Sequence, residues 1–282
     1  MNISVVIPLL NESQSLNELC DSICEVMSSY GFTYEIILID DGSTDESWEV
    51  IQTLSKNSAD IKGIKFKRNY GKSQALHAGF LNCNGDVIFT MDADLQDDPK
   101  EIPKMYDMII NDNYDLVSGW KKKRFDSILF KNIPSKIFNF AARVTSGIKL
   151  NDFNCGLKAY KKDVVKNINV YGEMHRYIPL IAKWAGFQNI TEKVVHHQAR
   201  KFGVTKFGLE RFIFGFLDLF SITFIGKYGK RPMHLFGTLG TVVFIIGFVF
   251  LFYIGVDKIF FNKTGKLIAN RTEFYVALTS II

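Results

Sequence analysis

The sequence predicts an α/β domain on a mostly parallel sheet, followed by membrane-associated helices, and three observations carry this prediction. Strand, polar loop and helix alternate from residue 3 to about 120, which calls for a largely parallel sheet covered on both faces. The apolar run Val87-Ile88-Phe89 leads into Thr90-Met91-Asp92-Ala93-Asp94-Leu95-Gln96-Asp97-Asp98-Pro99, where four carboxylates fall within seven positions. They are too many for a core, so they mark a strand exit. Finally, residues 235–256 carry no charge and are enough to span the hydrocarbon core of a bilayer.

The elements follow in order. Residues 3–10 read as a buried strand, and Asn11-Glu12-Ser13 comes after it, with Ser13 placed to cap a helix running to about Tyr30. A second apolar strand at 35–41 ends in Asp40-Asp41-Gly42-Ser43-Thr44-Asp45, and another helix begins there. The third strand covers 61–66, and Asn69-Tyr70-Gly71-Lys72-Ser73 leads into a helix through Leu81. Strands four and five cover 86–91 and 115–120, with a helix between Pro99 and about Asn111. Residues 125–145 read as an amphipathic helix, 157–160 as a returning strand, His175-Arg176-Tyr177-Ile178-Pro179 as a helix start, and 190–198 as a further strand.

At 282 residues there is room for one large α/β domain and an appendage. The net charge is +5, and its basic residues are not bunched as in a nucleic-acid binder, so a membrane surface or a phosphorylated substrate explains them better. Four cysteines at unrelated positions give neither a disulfide framework nor a metal pattern. Cys20 and Cys24 are expected to face a reduced core. No basic n-region precedes the first strand, so no cleavable signal is expected.

Composition shifts after Lys206. Residues 207–224 are rich in phenylalanine and leucine with Glu210, Arg211 and Asp218 spaced along them, which suits a helix lying in a bilayer interface. Lys227, Lys230 and Arg231 precede the uncharged run, and this basic flank predicts a cytoplasmic N-terminal domain. Residues 274–282 resemble the beginning of a second span. The expected division is therefore 1–206 for the catalytic domain, 207–231 for juxtamembrane helices and 232–282 for the membrane region.

In a parallel sheet of this kind ligands bind at the carboxyl ends of the strands, which gathers Glu12, Asp41, Arg68, Asp92 and Asp94. In an extended segment Asp92 and Asp94 lie on one face, two residues apart. Such a pair suits Mg2+ or Mn2+ completed by water and diphosphate oxygens. The competing reading is an acidic loop opening a helix, with Asp98 as cap and Pro99 in the first turn; it accounts for Asp98 and Pro99 and leaves Asp92 and Asp94 unexplained. Lys121, Lys122, Lys123 and Arg124 form either a solvated basic loop or an anion-binding one. His196 and His197 are adjacent in a strand and point to opposite faces, so they do not share a metal and at least one is structural.

These fragments resemble a known family. Val5-Val6-Ile7-Pro8 with Asn11-Glu12, Asp40-Asp41-Gly42-Ser43-x-Asp45, Arg68-Asn69-x-Gly71-Lys72, Asp92-Ala93-Asp94-Leu95-Gln96-Asp97-x-Pro99, His175-Arg176-x-Ile178-Pro179 and Arg200-x-Phe202-Gly203-x-Thr205-Lys206 occur in that order. The chain is similar to family 2 glycosyltransferases of the polyprenyl-phosphate type, relatives of dolichol-phosphate mannose synthase and of bacterial undecaprenyl-phosphate glucosyltransferases. The resemblance implies a GT-A fold and inverting, metal-dependent transfer of a sugar from a UDP- or GDP-sugar to a polyprenyl phosphate, at the cytoplasmic face of the inner (plasma) membrane. It also implies roles for single residues. Pro8, Leu9, Asn11, Glu12, Asp40, Asp41, Arg68, Lys72, Asp92, Ala93 and Asp94 would hold the nucleotide sugar, with Asp92 and Asp94 on the Mg2+ or Mn2+. Asp94, Gln96 and Asp152 would be nearest the chemistry. Lys131, Ser135, Lys136, Arg200, Thr205 and Lys206 would meet the acceptor phosphate. For Asp152, three roles stand: positioning a basic side chain or a sugar hydroxyl, abstracting a proton, or capping the Asn151-Asp152-Phe153 turn.

The implied partners are a nucleotide sugar, a polyprenyl phosphate and the bilayer, with no nucleic acid and with room for self-association through the membrane segments. Nucleotidyl transfer is disfavoured, because no G-x-G-x-x-G or P-loop pattern occurs: Gly71-Lys72-Ser73 lacks the upstream glycine, position 66 being Phe66. A membrane-tethered sensor of nucleotide sugars remains the non-catalytic alternative, against which both Asp92 and Asp94 argue.

Overall fold

The computed structural model describes residues 1–122, 142–143, 147–198, 201, 221–222, 224–226, 228–229, 231–261 and 271–281. They divide into two compact units, Met1–Ile222 and Thr223–Ile282. In the first, seven strands form one sheet: β1 (Ile3–Leu9), β2 (Tyr34–Asp40), β3 (Ile61–Lys65), β4 (Val87–Thr90), β5 (Leu116–Trp120), β6 (Lys158–Lys161) and β7 (Ile190–Val194). Their order is β3-β2-β1-β4-β6-β5-β7. β1 pairs in parallel with β2 and β4, and β2 with β3. The short β6 runs antiparallel to both β4 and β5, and β7 pairs in parallel with β5. The sheet is thus mostly parallel, with one reversed strand in its interior.

The period of two in the strands explains both layers. Val5, Ile7, Ile36 and Leu38 face one core with α1 (Leu16–Ser29) and, through Ile102, Met105 and Ile109, with α4 (Ile102–Ile110). Val6, Ile37 and Ile39 face the other, with α3 (Lys72–Asn82), α5 (Lys162–Asn167) and α6 (Ile178–Trp184). Helix α2 (Ser47–Asn57) completes the first layer through Ile51. Continuous apolar strands are what a sheet covered on both sides requires.

Local differences from the sequence reading have simple causes. Ser13 does not cap α1; its N–H donates to Asp45 Oδ2 at 3.2 Å, and Ser15 occupies the cap position, its hydroxyl donating back to the Glu12 carbonyl at 2.9 Å and not capping a helix amide. Asp98 does cap: its Oδ1 accepts from the Lys100 amide at 3.0 Å, and Pro99 opens a short 3₁₀ turn before α4. The cysteines are free thiols, Cys20 buried and Cys24 half-buried, and burial pushes the Cys20 thiol up to about 12. The amphipathic helix expected at 125–145 lies almost wholly outside the described residues.

In the second unit, α7 (Pro232–Val256) continues into a π-helical turn, Asp257–Phe261, and α8 (Thr272–Ile281) packs beside it. The helical stretch Pro232–Phe260 is 29 residues long, and its most apolar 18-residue window has a mean hydropathy of 2.5. At 1.5 Å per residue, its helical length exceeds the roughly 30 Å of a hydrocarbon core.

Candidate active site

The loops at the carboxyl ends of the strands are stitched together one to the next. After β1, the Asn11 amide donates to Ser43 Oγ at 2.9 Å and the Glu12 amide to Ser47 Oγ at 3.0 Å, which ties the first loop to the second. After β2, the Asp41 carboxylate accepts the amides of Tyr70 (2.7 Å) and Gly71 (2.9 Å), tying the second loop to the third. Gly42 makes this approach feasible: it sits at φ +78, and a Cβ there would lie 2.4 Å from the carbonyl carbon of Arg68. Lys72, the first residue of α3, then pairs with Asp92 beyond β4.

The acidic segment is a turn. β4 stops at Thr90, Asp92 and Asp94 lie past its end, and Leu95 adopts φ 59, uncommon for leucine. Extended geometry therefore does not place the two aspartates on one face. Exposure nevertheless alternates through the turn, with Met91, Ala93, Leu95 and Asp97 buried and Asp92, Asp94, Gln96 and Asp98 half-buried. Asp94 Oδ1 accepts from the Gln96 amide at 3.3 Å. Across from it, the segment after β7 joins through the Gln198 amide, which donates to the Gln96 carbonyl at 2.9 Å, and through an antiparallel bridge between Asp97 and His197. His197 is buried there while His196 is exposed, as opposite faces demand.

Electrostatics around Asp92 are lopsided. Burial alone would raise its pKa, but Lys72, Lys121 and Lys158 outweigh burial and hold the carboxyl below the usual carboxylate range. Lys121 is neither a solvated loop residue nor a free anion ligand: its ammonium lies 2.8 Å from the buried Asp97 carboxylate, which raises its pKa against the effect of burial. Lys122 stacks over Trp120 at 5.7 Å, and Lys123 and Arg124 lie outside the described residues. On β6, Lys158 is buried opposite Thr90, and burial pushes its ammonium down.

The turn before β6 closes the site from the far side. Gly156 sits against Asp92 so closely that a Cβ would come within 2.5 Å of its carboxylate, and the Gly156 carbonyl accepts from Thr90 Oγ1 at 2.8 Å. Asp152 is buried; its Oδ1 accepts the Asn154 amide at 3.0 Å, and Glu192 of β7 takes the Asn151 amide at 2.6 Å. The described geometry of Asp152 is thus that of a turn-forming aspartate.

The remaining expected residues divide by burial. Pro8, Leu9, Asp40 and Ala93 are buried; the Leu9 carbonyl accepts from the Asp41 amide at 2.9 Å, and Asp40 Oδ1 from the Ser43 amide at 2.8 Å. They shape the floor. Burial pushes the Asp41 carboxyl above its ordinary value despite its two amide bonds. Arg68 is exposed, its guanidinium 4.7 Å from the Tyr70 ring. Lys131, Ser135, Lys136, Arg200, Thr205 and Lys206 lie outside the described residues.

Residues 4–168 of the chain match one family model, described as glycosyl transferase family 2. The chain belongs to glycosyl transferase family 2. Curated relatives extend the likeness. The dodecaprenyl-phosphate galacturonate synthase of Rhizobium johnstonii is 37% identical over 260 residues, 92% of this chain and 77% of the relative. The undecaprenyl-phosphate 4-deoxy-4-formamido-L-arabinose transferase of Pseudomonas fluorescens is 33% identical over 262 residues, 92% of this chain and 74% of the relative. Crystal structures of glucosyl-3-phosphoglycerate synthase from Mycobacterium tuberculosis share the GT-A fold. One has a TM-score of 0.60 at 19% identity, covering 81% of each chain; another, a complex with Mn2+ and UDP-glucose, has 0.59 at 20% identity, covering 81% of this chain and 79% of that one.

In this family 2 glycosyltransferase, no cluster of three His, Cys, Asp or Glu side chains forms a metal cage among the described residues. The chain offers a divalent cation the two half-exposed carboxylates of Asp92 and Asp94, the first seated against Gly156. That set fits a hard cation whose shell is completed by water and diphosphate oxygens. Sequence reasoning missed Lys158. The available signal was a lysine between Leu157 and Ala159 in a short apolar run; what could not be read was that β6 would set it beside β4.

Proposed function

We propose that this glycosyltransferase moves a sugar, with inversion, from a nucleoside-diphosphate sugar to a polyprenyl phosphate at the cytoplasmic face of the inner membrane, using Mg2+ or Mn2+ held by Asp92 and Asp94. The observation that carries the proposal is the half-exposed Asp92 and Asp94 pair at the exit of β4, tied in series to the loops that follow β3, β2 and β1. The long apolar helix α7 supports a membrane-borne acceptor, and the two relatives are named for dodecaprenyl and undecaprenyl phosphate.

In this reading Asn11, Glu12, Asp41 and Arg68 border the nucleotide, and Tyr70 offers an exposed ring beside it. A bound divalent cation would supply Lewis-acid stabilisation of the departing diphosphate. Lys72 holds positive charge at the same place, where charge builds as the glycosidic bond breaks. The acceptor needs little help from a base. A phosphate monoester has its second ionisation near pH 6, so at neutral pH it arrives as a dianion. Asp152 then acts by holding the turn that carries Gly156 against Asp92. The acceptor phosphate is assigned to the basic residues Lys131, Lys136, Arg200 and Lys206, with Ser135 and Thr205 as donors. Residues 1–206 form the catalytic part, 207–231 the interfacial part and 232–282 the membrane part.

The test is release of free nucleoside diphosphate by the full chain in detergent, screened over UDP- and GDP-sugars with and without polyprenyl phosphate. Release that depends on both the donor and the lipid is expected. Release without the lipid, or donor binding without release at any Mg2+ or Mn2+ concentration, would overturn the acceptor assignment.

A further inference from the structure

Asp94 and Asp98 each hold a backbone amide of the acidic turn, that of Gln96 and that of Lys100. Asp97 does not. Its side chain is fully buried, no amide or hydroxyl hydrogen-bonds to either carboxylate oxygen among the described residues, and its compensation is the Lys121 ammonium 2.8 Å from Oδ1. Such a carboxylate does nothing for the backbone of the turn; what it fixes is the lysine. The charges packed around it are Asp92, Asp97 and Asp152 against Lys72, Lys121 and Lys158, with the half-buried Asp94 two positions beyond Asp92. The Cys155 thiol among them is pushed up to about 12 by burial and stays neutral. Each cation has its own place: Lys72 on Asp92 Oδ1, Lys158 on the Cys155 carbonyl and Lys121 on Asp97. Asp92 Oδ2 carries no bond among the described residues. Lys121 stands one turn away from it, since Gly119 packs on Cys155 and the adjoining Gly156 packs on Asp92. Its charge already acts on that carboxylate, where burial is outweighed first by Lys72 and next by Lys121.

We propose that Asp97 is a positioning residue for the metal: by holding the Lys121 ammonium it keeps that cation off Asp92 and leaves Oδ2 open to Mg2+ or Mn2+. The inference rests on the reading of Asp92 and Asp94 as the metal's ligands. Without the Asp97 charge, a buried ammonium must find another anion or stay unpaired at high cost. Asp92 is the other carboxylate whose charge acts on Lys121, and it has an oxygen to offer. Asp152 is already engaged with the Asn154 amide. Two ammonium groups would then share one carboxylate, and a divalent cation would have to displace both against like-charge repulsion. A purely structural ion pair predicts something else: stability lost when the pair is broken, with the metal affinity of the folded protein unchanged.

The experiment is Mn2+ titration followed by paramagnetic resonance on the full chain in detergent at neutral pH, with UDP or GDP present. It compares the unsubstituted protein with Asp97→Asn, with Asp97→Asn combined with Lys121→Met, and with Asp94→Asn. Asp97→Asn is expected to bind Mn2+ about tenfold more weakly. Adding Lys121→Met should bring affinity back to at least the unsubstituted value, because the intruding cation is gone. That double variant also replaces the buried pair by neutral side chains, so it reports metal binding even if Asp97→Asn alone does not fold. Unchanged affinity in Asp97→Asn, or a double variant that binds more weakly than the unsubstituted protein, would overturn the inference. Asp94→Asn separates the two readings. Undiminished Mn2+ binding there would overturn the metal assignment and this inference together, whereas the expected loss there, with Asp97→Asn binding as the unsubstituted protein does, would remove the role of Asp97 alone.

Discussion

The Lys72 ammonium is ion-paired with Asp92 Oδ1, so a lysine holds the carboxylate that a divalent cation needs. The two cations compete for one oxygen. Lys72→Met should therefore tighten Mn2+ binding, by about tenfold for removal of a like charge at short range, while turnover falls because the departing diphosphate loses a positive neighbour. Titration of free Mn2+ by paramagnetic resonance checks the first part, and weaker Mn2+ binding in the variant would show that Lys72 assists the metal.

Asp94→Asn should leave the fold intact and reduce transfer by about a hundredfold or more, since it removes the proposed ligand charge at a half-buried turn position and no core packing. Chelation by EDTA should reproduce the loss in the unsubstituted enzyme. Full transfer by the variant at ordinary Mg2+ or Mn2+ would remove the metal assignment.

Asp152→Asn keeps an oxygen able to accept the Asn154 amide, so the turn should persist. The rate should fall modestly and keep an acidic limb near pH 6, set by the acceptor's own second ionisation. A variant whose rate no longer varies through that limb would identify the Asp152 carboxylate as the titrating base.

Glu35 lies at the opposite end of the sheet from the site and is fully buried, taking Ser4 Oγ at 2.6 Å, Lys62 Nζ at 2.7 Å and the Asn84 amide at 2.6 Å. Burial opposes its ionisation, but these bonds outweigh burial and lower its pKa from 4.5. A lowered folded-state pKa means stability that is complete above 4.5 and is lost as pH falls through the folded value. Glu35→Gln should lower the thermal unfolding temperature at pH 7, at a cost of about 1–3 kcal/mol. The deficit should shrink on acidification below 4.5; a constant deficit would mean that packing, not charge, is what the substitution disturbs.

Much of this fold was legible because the strands are continuous apolar runs whose exits are marked by polar loops: β1 through β5 lie where Ile3, Glu35, Ile61, Asp86 and Asp115 announce them. The site's loops were legible for the same reason. Long-range pairing was not. Nothing local to Lys158–Lys161 says that it reverses direction and inserts between β4 and β5, because register and neighbour choice are set by burial across the whole sheet. For that reason Lys121 read as solvated or anion-binding although Asp97 holds it. The extended geometry expected for Asp92 and Asp94 failed for a local reason: the chain turns at Ala93 and Asp94, and Leu95 takes a left-handed conformation.

The reversed strand also sets the order in which a growing chain can finish its work. When β1 to β4 have left the ribosome, β4 has a partner on one side and an open row of amides and carbonyls on the other, the sort of edge that recruits a neighbouring chain. That edge closes only when β6 arrives, and Thr90 must wait for a carbonyl 66 residues later in the sequence. Pairing at such separation is slow. The half-made enzyme therefore carries its acidic turn beside a sticky margin until Lys158–Lys161, a little past the middle of the chain, has been synthesised, and protection of nascent chains should matter most in that interval.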